Sequence, residues 1–155
     1  MRRKKIARTK NKKVRNATIL EYQGIIFKSK LELHCYKTLK NANIKFQYEK
    51  VKYELMPSFE FESDSYELYK KKGERYFGPQ RQHIRAITYT PDFVGRHAGH
   101  LFIIETKGNP NDAFPLRWKL FKRYLFENDI KCTVYMPRNQ KQIEEVVELI
   151  KNIGK

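Results

Sequence analysis

The stretch Leu101 to Lys107, Leu-Phe-Ile-Ile-Glu-Thr-Lys, limits the fold more than any other part of the chain. Four consecutive apolar residues between Gly99 and Gly108 fit a short buried strand. In a strand, side chains two apart share a face, so Ile103, Glu105 and Lys107 point one way and Phe102 and Ile104 the other. An acid and a base at the far end of an interior strand are costly unless they reach solvent, pair, or meet an ion. Upstream, Thr-Pro-Asp-Phe at 90 to 93 belongs to a preceding strand. A turn over Gly95 to Gly99 folds the two strands antiparallel and brings Asp92 beside Glu105. Two carboxylates and one ammonium then converge on a small patch of sheet.

The rest of the chain supplies a frame for that hairpin. At 155 residues and 40% apolar composition, it is long enough for one compact domain with its own core. Residues 18 to 30 read as a short strand or hairpin turning at Gly24. Leu31, Cys35 and Leu39 recur at helical spacing, with Asn41 to Asn43 as the stop. Ile44, Phe46 and Tyr48, then Val51, Tyr53 and Leu55, alternate with polar residues, which predicts one long strand or two with a bulge. Residues 57–86 hold no sustained period and read as an inserted hairpin or a mobile arm. Leu116, Leu120, Phe121, Tyr124 and Leu125 mark a second helix starting at Asn111 or Asp112, with Pro115 in its first turn. Residues 131–136 predict a buried strand, and Ile143, Val146, Val147 and Ile150 an amphipathic closing helix. The order describes an α/β fold, a mixed central sheet flanked by helices, with residues 17–155 as one domain behind a basic tail at 1–16.

Charge narrows the partners. Lys and Arg number 33 against 17 Asp and Glu, a net charge of +16, which favours a polyanion and nucleic acid first. Nine of those cations, Arg2, Arg3, Lys4, Lys5, Arg8, Lys10, Lys12, Lys13 and Arg15, fall in the first fifteen residues with no acid among them, leaving +7 on residues 16–155. Such a run builds no core and is expected to order on phosphate; the plainer readings are a solvated tail or a targeting address. No apolar run approaches the roughly 18 residues that span a bilayer, so a soluble, cytoplasmic protein without membrane contact is expected. Cys35 and Cys132 lack any Cys-x-x-Cys spacing and read as core thiols of a reducing compartment. His97 and His100 form a pair in a hairpin loop with no further ligand nearby in sequence.

The Asp92, Glu105 and Lys107 constellation suits magnesium, which takes oxygen ligands and often needs only one or two protein carboxylates plus phosphate oxygens; manganese fits the same oxygen site. A cation there would polarise a phosphodiester and orient a water, with Lys107 steadying the transition state or deprotonating the water. The plainer reading makes Asp92 a turn cap and Glu105 and Lys107 the solvated end of a strand. If so, the chain is a basic nucleic-acid-binding protein whose carboxylates only make salt bridges.

Thr-Pro-Asp-Phe, a hairpin and Ile-Ile-Glu-Thr-Lys-Gly together resemble the signature of the PD-(D/E)xK nuclease superfamily, with Asp92, Glu105 and Lys107 at its three core positions. Residues 27–55 are similar to the corresponding stretch of the phage endonuclease I family of DNA-junction-resolving enzymes: a Ser-x-Leu-Glu helix start, then a Phe-x-Tyr-Glu strand. The resemblance spans roughly residues 27 to 108. It implies a restriction-endonuclease-like core and a magnesium-dependent endonuclease acting on branched or recombination-intermediate DNA such as a Holliday junction. A nicking or repair nuclease on linear or flapped DNA is the alternative within the superfamily. It also implies Asp92, Glu105 and the Thr106 carbonyl as metal ligands and Lys107 as a catalytic residue. The family's helix glutamate falls on Glu32, which is either a further ligand or the N3 partner of Ser29 in a capping box. Arg117, Lys119, Lys122 and Arg123 would lie along DNA phosphates or form a solvated helix face. The family is a strand-exchanged homodimer, and residues 57–86, which lengthen the chain relative to it, fall where its dimer bridge lies.

Overall fold

A computed structural model describes residues 19–108 and 113–154; the basic run from Arg2 to Arg15 and the expected helix start at Asn111 or Asp112 lie outside them. The chain opens with a hairpin, β1 (Leu20–Tyr22) and β2 (Ile25–Phe27), followed by α1 (Lys30–Asn41) and β3 (Phe46–Tyr48). Next come β4 (Tyr53–Met56), the long β5 (Phe59–Lys71) and β6 (Glu74–Ile84), and β7 (Ile87–Tyr89). The second half holds β8 (Phe93–His97), β9 (His100–Ile104), α2 (Phe114–Glu127), β10 (Cys132–Tyr135) and α3 (Gln140–Lys151).

The fold is mixed α/β. Its central sheet has the order β10-β9-β8-β3, parallel between β10 and β9 and antiparallel elsewhere. Strand alternation divides the core into two layers. Phe93, Phe102 and Ile104 pack with Cys35, Tyr36 and Leu39 of α1 and Ile143, Val147 and Ile150 of α3. Val94 and Ile103 face the other way, into Tyr89 and the Phe114, Trp118, Phe121 and Leu125 stripe of α2. The sheet is thus covered on both faces, which explains the unbroken apolar run of β9.

Four sequence expectations change. The alternation from Ile44 to Leu55 is two strands in different sheets: β3 joins the central sheet, whereas β4 pairs with β7. Glu49, at φ 45°, turns the chain between them. Gly95 lies inside β8 rather than in a turn. It faces Phe102 across the ladder, and a Cβ there would collide with that ring and with the Lys45 carbonyl. The turn is Ala98-Gly99, both at positive φ, the primed geometry that two-residue hairpins favour. Leu116 is exposed, because Phe114 and Trp118 take the inward face of α2. Finally, β10 is a half-buried edge strand instead of a buried one.

Residues 59–84 form one long antiparallel hairpin, β5 against β6, turning at Lys72-Gly73. Among the described residues it pairs with no other strand. Among the described residues, no helix is long and apolar enough to cross a membrane.

Candidate active site at the ends of β8 and β9

Asp92 immediately precedes β8 and Glu105 immediately follows β9. Because Phe93 pairs with Ile104, the two acids stand one step beyond the last rung of the ladder. Both are buried, at 8% and 5% exposure. The main chain around them is fixed from both sides: Glu49 N–H donates to the Asp92 carbonyl at 2.9 Å, and Glu105 and Lys107 N–H donate to the carbonyls of Tyr135 and Pro137, each at 3.0 Å.

The two carboxylates differ in what satisfies them. Asp92 Oδ2 accepts from the Thr106 amide at 2.7 Å and the Thr106 hydroxyl at 2.6 Å. Glu105 Oε1 accepts from Lys107 Nζ at 3.1 Å, while Oε2 is buried with no hydrogen-bond partner among the described residues. The Tyr89 hydroxyl, also buried, lies close to the Glu105 carboxylate without closing a well-formed hydrogen bond to any described residue. Burial first, and the Glu105 charge second, push its pKa far up. The Lys107 ammonium also sits 4.3 Å above the centroid of the Phe114 ring, which ties the strand end to α2.

Electrostatics follows from this crowding. Burial is the main cause that raises Asp92 from 3.8 to about 8, and the neighbouring Glu105 charge adds to it. The Thr106 hydrogen bonds oppose the rise without cancelling it. Two carboxylates packed together in low dielectric resist sharing two negative charges, so Asp92 retains its proton to higher pH or the site attracts a cation.

Glu32 occupies N3 of α1 and is 7% exposed. Its amide donates to Ser29 Oγ at 3.1 Å, and Ser29 Oγ donates back to Oε1 at 2.9 Å. Its Oε2 accepts from the Lys28 amide at 3.0 Å and the Tyr48 hydroxyl at 2.7 Å. Here Glu32 is a cap, with both oxygens occupied. Burial and then this hydrogen bond raise the pKa of Tyr48. The Cys35 thiol, one turn further along α1, is raised by burial and then by the Asp92 and Glu32 charges, as a core thiol near the site would be. Among the described residues, no three His, Cys, Asp or Glu side chains form a group that could hold a metal ion. Of the three buried acids among the described residues, Asp92 and Glu105 are the two not engaged in the cap.

A family model described as Protein of unknown function (DUF1064) matches residues 11–142, from the basic run through both carboxylates to the first turn of α3. The chain belongs to the DUF1064 family. No curated protein and no solved structure matches it.

In this DUF1064 chain the four cations of α2 are all exposed, but they do not share one stripe. At 100° per residue, Lys119, Lys122 and Arg123 fall on one side of the buried Phe114-Trp118-Phe121-Leu125 face and Arg117 on the other. Arg117 is the one whose charge reaches the Tyr89 hydroxyl. Arg123 is paired with Glu127 at 2.7 Å, and Lys122 lies 5.4 Å over the Trp118 ring. Sequence reasoning missed Tyr48 and Tyr89, because aromatics at strand spacing read as core. Both do pack in the core, yet each sends its hydroxyl toward a site carboxylate. The one available signal was position, Tyr89 three residues before Asp92 and Tyr48 at the end of a strand.

Proposed function

We propose that this protein is a divalent-cation-dependent DNA endonuclease with a PD-(D/E)xK-type, restriction-endonuclease-like core, acting on branched or otherwise interrupted duplexes. The observation that carries the reading is the buried Asp92–Glu105 pair with one orphaned oxygen, Glu105 Oε2, and an ammonium from Lys107 on the other. A buried polar oxygen without a partner costs on the order of 2–7 kcal/mol even when neutral, and more when it carries charge, which favours a cation there. Oxygen donors, few in number and beside a basic surface, fit magnesium or manganese better than a softer ion.

In this reading Asp92 and Glu105 hold the ion, and the Thr106 carbonyl is the third protein oxygen. When bound there, the ion would polarise the phosphodiester and lower the pKa of an attacking water. Thr106 has a second role through its amide and hydroxyl, since both hold Asp92 in one rotamer. Lys107, anchored on Phe114, places its ammonium where negative charge would develop on phosphate. Glu32 joins only by leaving its cap, which exchanges three accepted hydrogen bonds for a ligand bond. A junction-resolving activity and a homodimer rest on the family resemblance alone.

The rival reading is a basic nucleic-acid-binding protein, favoured by the finished Glu105–Lys107 ion pair. One experiment separates them: cleavage of labelled four-way-junction, flapped, single-stranded and linear DNA with magnesium, with EDTA, and with Glu105→Gln. A nuclease cuts only with metal and stops cutting in the variant while still binding. Binding to every substrate with no cutting in magnesium or manganese sinks the catalytic reading.

A further inference from the structure

The β5–β6 hairpin has no place in the site described above. Its thirteen-residue strand extends about 40 Å at 3.3 Å per residue, more than one turn of a DNA duplex, about 34 Å. Isolated two-stranded ribbons are marginal in water. This one is held by its own cross-strand rings, Tyr69 stacked on Tyr76 at 5.8 Å and Tyr66 against Phe77 at 6.3 Å. Between Phe61 and Ser65 the register slips, so three residues of β5 oppose one of β6 and the ribbon bends.

Strand register sorts its side chains onto two faces. Leu68 opposes Phe77 and Lys70 opposes Arg75, so Tyr66, Leu68 and Phe77 share a face with Lys70 and Arg75 nearer the turn. The apolar three are 63%, 65% and 73% exposed. Scattered exposed apolar residues are ordinary, but three adjoining on a ribbon that pairs with no other described strand mark a contact surface. The tip adds Lys71 and Lys72, and among the described residues none of these four cations has an ion-pair partner. A cationic end beside an apolar, aromatic face is complementary to a polyanion with stackable bases.

We infer that the β5–β6 hairpin is a nucleic-acid arm: Lys70, Lys71, Lys72 and Arg75 meet DNA phosphates while Leu68, Phe77 and Tyr66 wedge against a base step whose stacking is already interrupted. The arm rises from the same β4–β7 pair that carries Tyr89 toward Glu105, so it is rooted in the segment that builds the site. Apolar wedges at unstacked steps are a known means of holding bent DNA, and they select steps that are cheap to open. The inference deepens the nuclease reading by naming what selects the substrate, and it rests on that reading only for the reaction.

The test is binding in EDTA, using the full chain with labelled perfect duplex, the same duplex with a bulge, and a four-way junction, across a salt series. Wild type should favour the bulged and branched DNA about tenfold over perfect duplex. Neutralising the tip (K70Q, K71Q, K72Q, R75Q) should weaken binding to all three and lower the salt slope by about 0.9 for each lost phosphate contact. Leu68→Ser with Phe77→Ser should erase the preference while leaving perfect-duplex binding and its salt slope within about twofold. The tip variant changes only exposed residues, so it is readable even if the apolar variant misfolds. Wild-type binding and preference in both variants would overturn the arm. A tip effect with the preference intact would overturn the wedge, and conversion of a dimer to a monomer with DNA binding unchanged would make the arm a subunit contact. Because no metal is present, these outcomes are independent of whether the protein cuts.

Discussion

The strand ends of β8 and β9 and the arm of β5 and β6 depart from the usual partition of side chains in opposite directions. At the strand ends, charge is buried: Asp92 and Glu105 are 8% and 5% exposed, and among the described residues one carboxylate oxygen has no hydrogen-bond partner. On the arm, carbon is exposed: Leu68 and Phe77 face water although Phe93 and Phe102, of the same chemical type, are wholly buried. Each arrangement costs stability in the isolated chain. The comparison teaches that a site and a surface betray themselves by the same means, a local cost that a ligand would offset, a cation in one place and nucleic acid in the other.

The largest expected effect lies at the strand ends. Lys107→Met should reduce metal-dependent cutting by about 100-fold or more, with DNA affinity within about threefold, because one removed cation acts on developing charge far more than on binding. Single-turnover cleavage beside a binding titration checks it. An equal loss in both would make Lys107 an ordinary phosphate contact.

Next is a gain. Asp92→Asn keeps an acceptor for Thr106, removes one of two crowded charges and presents an amide to Glu105. In EDTA it should stabilise the fold by roughly 1–3 kcal/mol at pH 8. The sign follows from linkage: the folded pKa of Asp92 lies above its unfolded value of 3.8. As pH rises from about 4 to about 8, the unfolded chain therefore releases this proton first, and the wild-type fold weakens relative to the variant. Denaturant melts at pH 5 and pH 8 should show the variant's advantage growing with pH. An advantage that shrinks, or a destabilised variant at both values, contradicts the buried-charge account.

Smaller is the cap. Ser29→Ala should cost about 1 kcal/mol in a denaturant melt, as N-cap losses do. Smallest is the arm, where Phe77→Ser should change global stability by less than about 0.5 kcal/mol, since that ring is 73% exposed and its ring contact is with Tyr66 of the same ribbon. A cost above 2 kcal/mol would mean the hairpin is part of the core after all, and the contrast between the two regions would disappear.

Helices α1 and α3 were legible because their apolar spacing, and for α1 its Ser29 cap, act within a few residues. The neighbourhood of Asp92, Glu105, Thr106 and Lys107 was legible too, since strand alternation and one tight hairpin suffice to assemble it. Glu32 shows where such reading stops: its sequence position serves a cap and a ligand equally, and only the hydrogen bonds from Ser29, Lys28 and Tyr48 show which role it fills here. The 57–86 stretch read as an inserted hairpin or a mobile arm, and it is the hairpin; its strand bounds were not legible because their order comes from cross-strand pairing, which leaves no period along one strand.

By itself, the sequence determined the local periods, the charge excess and the juxtaposition of acid, acid and base, since each depends on spacing along the chain. Tertiary structure decided the rest. It sent β3 and β4 to different sheets, buried Phe114 and Trp118 in place of Leu116, and turned the Tyr48 and Tyr89 hydroxyls toward carboxylates. It also left Glu105 Oε2 without a hydrogen-bond partner among the described residues. The physical reason is that burial and hydrogen-bond satisfaction belong to a position in space, where residues distant in the chain compete for the same contacts.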